Sequence, residues 1–479
     1  MLLNPIDFGD NPYLVGPHAP VRKELDKPSL KYVGQVPKDF SGIYLRNGPN
    51  QIHPPCGTYH WFDGDGMVHG VEFREGRVNY RNRWINTAGL KQEQKTGHSL
   101  WPGLMDPPNR SLQEAWGSDL CLKDNSNTDL TIHGGKAIST FYQCGEAYTL
   151  DPLSLETLGT LDLLSGGGRQ MSAHCMTDEQ SGDLLFFDYA TKPPYMTYGV
   201  FDKDANLVHH TAIDLPGARL PHTLAFTTNY SILMDLPMFW DPKLLQKDVH
   251  KVSFYPDKAS RFGLITRFGQ GDSIKWFEAD PCYIYHAVNS WEEGDVVILD
   301  VCRMSTPVPS EAKKQKLAGP YGSMLAWLKL DASYHRYRFN LVSGETKEES
   351  LSDLLSEFPV INNRFGGLSS RYSYHVTLAD TDAILFDGLV KIDSETTQNQ
   401  EYKFPKGCFG SESQFAPRDN AKNEDDGYLI TLVTNMETNK GEIQIFPAED
   451  LTQGPICRVI VPQQIPPGFH SSFVLPENL

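Results

Sequence analysis

The sequence predicts an all-β protein. Short runs rich in β-branched and aromatic residues recur along the chain, and turn signals separate them every ten residues or so. The 40 glycines and 33 prolines suit a fold with many tight turns. A β-propeller closes many short strands into one unit and leaves only short edges, so it is the architecture this pattern favours. The sequence shows no sharp internal repeat, so the number of blades cannot be counted from it.

The first part of the chain differs from the rest. Residues 1–30 are rich in Pro, Asp and Asn and are predicted to form an extended N-terminal arm. Residues 31–479 are expected to form a single β-propeller domain with cap insertions, because no change in composition suggests a linker. No basic segment followed by an apolar core occurs at the start, and no run of about 18 apolar residues is present. A cytoplasmic protein is therefore expected.

Several strands and turns can be placed individually. Residues 70–80 form a predicted hairpin that turns at Glu75-Gly76, and residues 283–300 form another that turns at 292–295. A short helix is predicted at 350–358, where Leu351, Leu354 and Leu355 share one helical face. Other predicted strands are residues 41–47, 183–189, 198–202, 230–235, 427–433 and 441–446.

Charge and cysteine usage exclude two classes of function. The net charge of −17 argues against a nucleic-acid partner, because phosphate binding needs a basic surface. The eight cysteines lie far apart and form no CxxC motif, so neither a zinc ribbon nor a redox pair is indicated. Reduced thiols in a cytosolic protein are the simplest interpretation.

Four histidines scattered over the sequence are predicted to meet on one metal ion: His174, His222, His286 and His470. A toroidal fold could bring them together from different inner strands. Neutral imidazole suits Zn, Cu, Fe and Ni. An octahedral ion with two open positions would take dioxygen and water, which favours non-haem Fe(II), whereas structural zinc has a closed tetrahedral shell. Spacing alone leaves both metals open. The histidines expected at the surface are His209, His210, His250 and His335.

Two glutamates, Glu357 and Glu412, stand in otherwise apolar segments. A buried carboxylate needs a partner, and metal-ligating histidines commonly donate their second N–H to a carboxylate. Support of the histidines is therefore the functional interpretation of both residues. A solvated glutamate at the mouth of a loop is the alternative.

Short motifs across almost the whole chain carry a resemblance to a known family. The motifs include Gly-Ile-Tyr-Leu-Arg-Asn-Gly-Pro-Asn at 42–50 and Tyr-His-Trp-Phe-Asp-Gly-Asp-Gly-Met-Val-His at 59–69. With these, the sequence resembles the carotenoid cleavage oxygenases, which include carotenoid, apocarotenoid and stilbenoid dioxygenases. The further matching segments are residues 11–14, 19–21, 172–174, 221–222, 286–289, 357–359, 412–418 and 468–470.

The resemblance implies a seven-bladed β-propeller with a helical and loop cap over the active site. It implies one Fe(II) per chain held by the four histidines, with O₂ as co-substrate. Glu357 would orient His286, and Glu412 would orient His470. Where the family has a third glutamate, this chain has Gln143, with Tyr142 as the alternative for that position. An amide accepts the N–H of His222 without adding negative charge. A second departure is Thr223, which stands where an aspartate is usual.

The implied activity is oxidative cleavage of a C=C bond to two carbonyl products. Stilbenoid-cleaving relatives carry a lysine where this chain has Tyr142, which favours a carotenoid or apocarotenoid substrate. Cleavage of a stilbenoid or phenylpropanoid alkene to aromatic aldehydes is the alternative. An isomerase or hydrolase on the same scaffold, or a non-catalytic propeller that binds a partner, is also compatible with the fold.

Three apolar segments are candidates for the wall of a substrate tunnel, and each also fits core packing or an exposed cap: residues 101–105, 237–240 and 321–327. Peripheral membrane contact and oligomeric state are left open by the sequence.

Overall fold

The computed structural model describes residues 8–104, 106, 112, 122–163, 170–247, 252–308, 330–381 and 383–476. Within these residues, antiparallel strands form seven sheets of four to six strands and one separate two-stranded hairpin. The sheets are numbered here as blades 1 to 7 in chain order.

Two short strands of the N-terminal segment, β1 (Asp26–Lys27) and β2 (Tyr32–Gly34), join the outer edges of blades 1 and 7. Blade 1 is then built from β3 (Gly42–Arg46), β4 (Met67–Arg74) and β5 (Arg77–Trp84). Blade 2 contains β6 (Asp129–His133), β7 (Lys136–Thr140), β8 (Tyr148–Leu150) and β9 (Thr157–Thr160). Blade 3 contains β10 (Met176–Thr177), β11 (Leu184–Tyr189), β12 (Met196–Phe201) and β13 (Leu207–Ile213).

Blade 4 contains β14 (Ala225–Phe226), β15 (Tyr230–Asp235), β18 (Ser260–Thr266) and β19 (Lys275–Ala279). The separate hairpin of β16 (Met238–Trp240) and β17 (Val252–Phe254) lies between β15 and β18 in the chain. Blade 5 contains β20 (Tyr283–Glu293), β21 (Val296–Met304), β22 (Ser333–Asn340) and β23 (Thr346–Ser350). Blade 6 contains β24 (Ser356–Val360), β25 (Tyr372–Leu378), β26 (Phe386–Asp393) and β27 (Asn399–Lys403). Blade 7 contains β28 (Cys408–Phe409), β29 (Ser413–Pro417), β30 (Gly427–Asn435), β31 (Lys440–Pro447) and β32 (Cys457–Val461).

The C-terminal strand closes the ring. β33 (Ser471–Val474) pairs with β3 of blade 1, with Arg46 opposite Ser471 and Ile43 opposite Val474. Inner strands of neighbouring blades contact one another around the axis: β33 with β6, β6 with β10, β14 with β20, β20 with β24, β24 with β29, and β29 with β33. A closed ring of this kind removes the exposed sheet edges that an open sheet would present. The predicted seven-bladed propeller is confirmed.

Helices are few among the described residues. They are α1 (Ala88–Thr96) and α2 (Pro242–Leu245). The Oγ1 atom of Thr87 accepts the N–H of Leu90 at the start of α1, and Gly97 ends this helix in the left-handed region at φ 81°. Neither helix has the length and apolarity needed to cross a bilayer. Short 3₁₀ turns lie at Gly16–His18, Trp61–Asp63, Gly271–Ser273, Asn363–Phe365 and Leu451–Gln453.

The structure confirms one predicted hairpin and contradicts the predicted helix. The hairpin at 70–80 turns as predicted, because Glu75 and Gly76 both take positive φ, as a two-residue type I′ turn requires. The predicted helix at 350–358 is wrong: this segment contains the end of β23 and the start of β24. Leu351 is buried but Leu355 is 47% exposed, so the leucines do not share one buried face.

The core lies between the blades. In β21, Val297, Leu299 and Val301 are fully buried, and so are the alternate residues Ile298 and Cys302. Both faces of this strand are therefore covered, and each large aliphatic side chain contributes roughly 1.5–3 kcal/mol by leaving water. The rigid ring that results fixes the inner strands, and these carry the residues described next.

Candidate metal centre

The inner end of each blade directs one histidine or carboxylate side chain towards the axis. Blade 2 supplies a residue at the start of its first strand, and blades 5 and 6 supply residues within theirs. Blades 1, 3, 4 and 7 supply residues just before an inner strand. In blade order from 1 to 7, the residues are His470, Asp129, His174, His222, His286, Glu357 and Glu412.

The four histidines lie together, and each is only 6% exposed. The ring centroid of His174 lies 4.6 Å from that of His222, 5.0 Å from that of His286 and 4.4 Å from that of His470. The Nε2 atoms of His286 and His470 are 3.2 Å apart. Candidate ligand atoms of His174, His222 and His286 all lie within 4.8 Å of one another. The sequence separated these residues widely, and the propeller axis brings them to one point.

Glutamates fix two of the rings from behind. Oε2 of Glu357 lies 2.5 Å from Nδ1 of His286, and Oε1 of Glu412 lies 2.9 Å from Nδ1 of His470. Glu412 also accepts the backbone N–H of Ser471 at 2.6 Å. Since each Nδ1 faces a carboxylate, the opposite nitrogen, Nε2, is left for the centre of the cluster, which is the usual arrangement around a metal-bound histidine.

Asp129 is a member of the cluster that the sequence did not reveal. Its Oδ2 atom accepts the backbone N–H of His174 at 3.0 Å and lies 3.6 Å from Nδ1 of the same residue. Asp129, His174 and His470 also form a group whose candidate ligand atoms lie within 4.8 Å of one another. Asp129 lies in a polar segment with no local motif, so only its place at the start of β6 identifies it.

Backbone irregularities aim two of the rings. His174 has a φ of 59°, which places a non-glycine residue in the left-handed region. The register between β20 and β21 shifts between Ile284 and Ala287, at the position of His286. A bulge of this kind re-aims a side chain that a regular strand would point elsewhere.

His222 has an aromatic environment. Its ring lies 4.7 Å from that of Tyr285 and 6.0 Å from that of Tyr142. Gln143 is buried, and its side chain lies beside the phenol of Tyr142. The Oγ1 atom of Thr223 donates to the carbonyl of Leu224 at 3.0 Å. The predicted contact between Gln143 and His222 stays a prediction.

The donor set fits a divalent cation. Burial lowers the pKa of His470 to about 3, with repulsion from His286 adding to the effect. Burial and the neighbouring histidines hold the pKa of His174 and that of His222 well below the usual value. These three imidazoles are therefore neutral, as metal ligands must be. The Nε2 atom of His174 is buried without a hydrogen-bond partner. Burial raises the pKa of Glu412 to about 8, and a nearby cation would stabilise the ionised carboxylate.

Two cavities lie at this part of the axis. One of about 740 Å³ reaches His174, His286 and His470. A much smaller one, about 30 Å³, is lined by Phe62, Trp101, Tyr142 and Gln143 among others.

The three segments predicted as candidates for the wall of a substrate tunnel differ in what the structure shows of them. Trp101 lines the smaller cavity. In the 237–240 segment, Phe239 stacks on Tyr255 at 4.3 Å and Trp240 packs in the core, so this segment has packing partners of its own. Residues 105 and 321–327 lie outside the described residues.

The described histidines among those predicted to lie at the surface are outside the cluster. His209 and His210 are partly buried on β13 of blade 3. The prediction that His335 lies at the surface is wrong, since it is only 9% exposed and its Nε2 atom lies 3.2 Å from Oε2 of Glu348. It is buried because β22 is covered by the outer strand β23, which carries that glutamate. His250 lies outside the described residues.

These observations define a closed β-propeller whose axis carries four buried imidazoles supported by buried carboxylates. The chain belongs to the family described as retinal pigment epithelial membrane protein, whose family model matches residues 18–475. Members of this family include alkene-cleaving oxygenases, and the chain is an enzyme of that carotenoid oxygenase type. The predicted family is confirmed.

Named relatives cover nearly the whole chain. A carotenoid 9,10(9′,10′)-cleavage dioxygenase 1 from Arabidopsis thaliana is 33% identical over 505 residues, which is 98% of this chain and 90% of the relative. The isoeugenol monooxygenase of Pseudomonas nitroreducens is 29% identical over 483 residues, 97% of this chain and 98% of the relative.

Solved structures share the fold. The lignostilbene dioxygenase of Pseudomonas brassicacearum superposes with a TM-score of 0.85 at 23% identity and covers 98% of this chain and 100% of its own. A variant of the Synechocystis apocarotenoid oxygenase gives a TM-score of 0.81 at 23% identity, over 96% of this chain and 97% of its own.

Proposed function

We propose that this protein is a non-haem Fe(II) dioxygenase that cleaves a C=C bond of a carotenoid or apocarotenoid into two carbonyl products. The observation that carries the proposal is the convergence of His174, His222, His286 and His470 on the propeller axis, with ring centroids 4.4–5.5 Å apart for the measured pairs. In this proposal the four histidines are the metal ligands and catalytic residues, and Gln143, Glu357 and Glu412 support them.

Ferrous ion is the metal that fits this donor set and the family chemistry together. Four imidazoles leave the full charge of a divalent ion uncompensated by direct ligands and leave room for further ligands in an octahedral arrangement. A structural zinc site would be closed by its protein ligands alone. Activation of dioxygen beside the alkene is the chemistry that bound Fe(II) would supply.

The chain's own residues position and shield the reacting groups. Glu357 and Glu412 hold their histidines in one tautomer and orientation. Phe358 packs 4.7 Å from the ring of His286, and Tyr285 packs against His222. These apolar faces exclude bulk water and limit how an alkene lies over the centre. One O₂ and one C=C bond give two C=O groups, so the reaction balances without another reductant and needs no side-chain nucleophile.

The relatives support a polyene substrate. The carotenoid 9,10(9′,10′)-cleavage dioxygenases of several plants are 32–33% identical to this chain over 98% of its length. Tyr142 and Tyr285 place aromatic rings beside His222, and such rings suit a conjugated hydrocarbon.

A phenylpropanoid alkene is the second candidate substrate. The isoeugenol monooxygenases of two Pseudomonas species are 29% and 27% identical to this chain over at least 96% of its length. The phenol of Tyr142 lies beside Gln143, and polar groups at that position could bind the hydroxyl group of a phenolic substrate.

Metal analysis and product analysis test the proposal together. Protein purified without oxygen should contain one iron per chain and should convert an apocarotenal to two carbonyl products in the presence of O₂. The His286→Ala variant should lose both properties, whereas His335→Ala, a buried histidine outside the cluster, should keep its iron. Labelled dioxygen should appear in the products, which would exclude an isomerase or hydrolase. Conversion of isoeugenol or a stilbene, with apocarotenals left intact, would instead establish the second candidate.

A further inference from the structure

We propose that Asp129 is a positioning residue of the metal centre and serves as the carboxylate partner of His174. This inference rests on the proposed metal site but concerns a residue outside the predicted set. Glu357 faces His286 and Glu412 faces His470, and Asp129 would give a third histidine its own carboxylate.

The position of Asp129 in the propeller supports this role. It begins β6, the inner strand of blade 2, next to the blade that carries His174. Every other blade contributes one histidine or glutamate of the cluster from its own inner end. Asp129 therefore fills the one remaining place in a ring of seven side chains, each supplied by a different blade.

The contacts of Asp129 act on His174 in two ways. Oδ2 accepts the backbone N–H of His174 at 3.0 Å, and the same oxygen lies 3.6 Å from the ring Nδ1. The first contact fixes a backbone whose φ of 59° is costly for a non-glycine residue and persists only when its surroundings impose it. The second places a negative charge behind the ring, while the buried Nε2 atom on the other side has no hydrogen-bond partner.

The charge of Asp129 also compensates for the uncharged residue at position 143. The family resemblance leads one to expect three glutamates around the centre, but Gln143 carries no charge. Glu357, Glu412 and Asp129 would place three carboxylates around the proposed divalent ion. Compared with that expectation, the third carboxylate lies beside His174 and not beside His222. A carboxylate at this distance raises ligand basicity and favours a bound cation.

Comparison of Asp129→Asn with a matched control separates the charge of Asp129 from its backbone contacts. The two carboxylate oxygens of Asp129 accept the backbone N–H groups of His174 and Leu130. In Asp129→Asn the negative charge is gone, and the single amide oxygen accepts only one of these two N–H groups. Asp124→Asn is the matched control, because Asp124 is also buried on the same segment and its two carboxylate oxygens likewise accept two backbone N–H groups, those of Ser126 and Glu146. Glu357→Gln is the reference for loss of a known histidine partner.

The experiment measures binding of Co²⁺ and Fe²⁺ to metal-free protein, the Fe(III)/Fe(II) reduction potential, and the thermal midpoint of the metal-free form. Asp129→Asn should lower metal affinity roughly 10- to 100-fold, which is also the effect expected of Glu357→Gln. It should also raise the reduction potential, because the removed charge stabilises Fe(III) more than Fe(II). Asp124→Asn should change neither quantity. The metal-free midpoint of Asp129→Asn should fall no further than that of Asp124→Asn, because each variant loses one of two backbone hydrogen bonds.

The outcomes distinguish this inference from the proposed function. Wild-type affinity and potential in Asp129→Asn, with weakened binding in Glu357→Gln, would overturn the role of Asp129 and leave the metal site standing. A fall in the metal-free midpoint with unchanged affinity would assign Asp129 to the backbone alone and would also overturn the inference. Wild-type protein that binds neither metal would overturn both proposals.

Discussion

Nδ1 of His286 lies 2.5 Å from Oε2 of Glu357, although the two residues are 71 positions apart in the chain. His286 comes from the inner strand of blade 5 and Glu357 from that of blade 6. The glutamate also accepts the backbone N–H of Phe358 at 2.8 Å. The contact therefore joins two blades at the axis and sets the direction of the imidazole.

Glu357→Gln should weaken metal binding roughly 10- to 100-fold, because the amide keeps an acceptor but removes the charge behind His286. Titration of metal-free protein with Co²⁺ measures the effect. Glu348→Gln is the matched control, since Glu348 faces His335 at 3.2 Å in a histidine–carboxylate pair outside the cluster. Equal affinities for Glu357→Gln and wild type would show that the pair does not support a metal ligand.

Removal of the metal should lower the thermal stability of the wild-type protein. A ligand that binds only the folded state stabilises it by about 2.7 kcal/mol when its free concentration is 100 times its dissociation constant. Calorimetry with and without a chelator measures the difference in unfolding midpoint. His286→Ala should show a much smaller difference, because one of the proposed ligands is missing. A wild-type midpoint insensitive to chelation would count against a bound metal in the purified protein.

The close packing of Gly468 predicts that Gly468→Ala destabilises the protein and displaces His470. A Cβ atom at this position would lie 2.3 Å from Nη1 of Arg46. Arg46 is fully buried and donates to the carbonyl of Pro466 at 2.8 Å, so it has little room to move. Overpacking of this kind typically costs about 1–3 kcal/mol.

Urea unfolding and metal titration both measure the consequence for Gly468→Ala. Gly217→Ala is the control, because its nearest contact would be Nη1 of Arg219 at 3.4 Å, an ordinary packing distance. Stability should change by less than about 0.5 kcal/mol in the control. Unaltered stability and metal affinity in Gly468→Ala would mean that the segment before His470 adjusts freely.

The fold and part of the centre could be predicted because they depend on patterns that the sequence displays. Regular turn signals indicate short strands, and isolated histidines and glutamates in apolar segments stand out. Asp129 could not be found in this way, because an aspartate in a polar segment looks solvated until the blades are assembled. The leucine spacing at 350–358 led to a wrong prediction of a helix, because a local pattern was present but did not decide the structure. Glu357 is fully buried at the axis, and burial of this strand overrides the local helical pattern.

His18 should make stability depend on pH. Its Nε2–H donates to the carbonyl of Ile384 at 3.1 Å, while its Nδ1 atom is buried without a partner. Burial lowers the pKa of His18 to about 4. Between pH 6.5 and 4 the unfolded chain binds a proton at this residue and the folded protein does not. Its contribution to stability is therefore lost as the pH falls through that window, by about 1.4 kcal/mol per pH unit.

The variant His18→Gln isolates this effect from the other titrating groups. Its side-chain amide can still donate to Ile384 but does not titrate. Urea unfolding of both proteins at pH 7, 5.5 and 4.5 should show wild type losing stability relative to the variant as the medium becomes more acidic. Because Asp63 and Asp124 have pKa values raised to about 7 by burial, the total pH profile combines opposite trends, and only the difference between the two proteins is diagnostic. Parallel profiles would show that the folded protein accommodates a protonated His18, for instance by admitting water between the rings of Tyr13 and Trp61 that now enclose it.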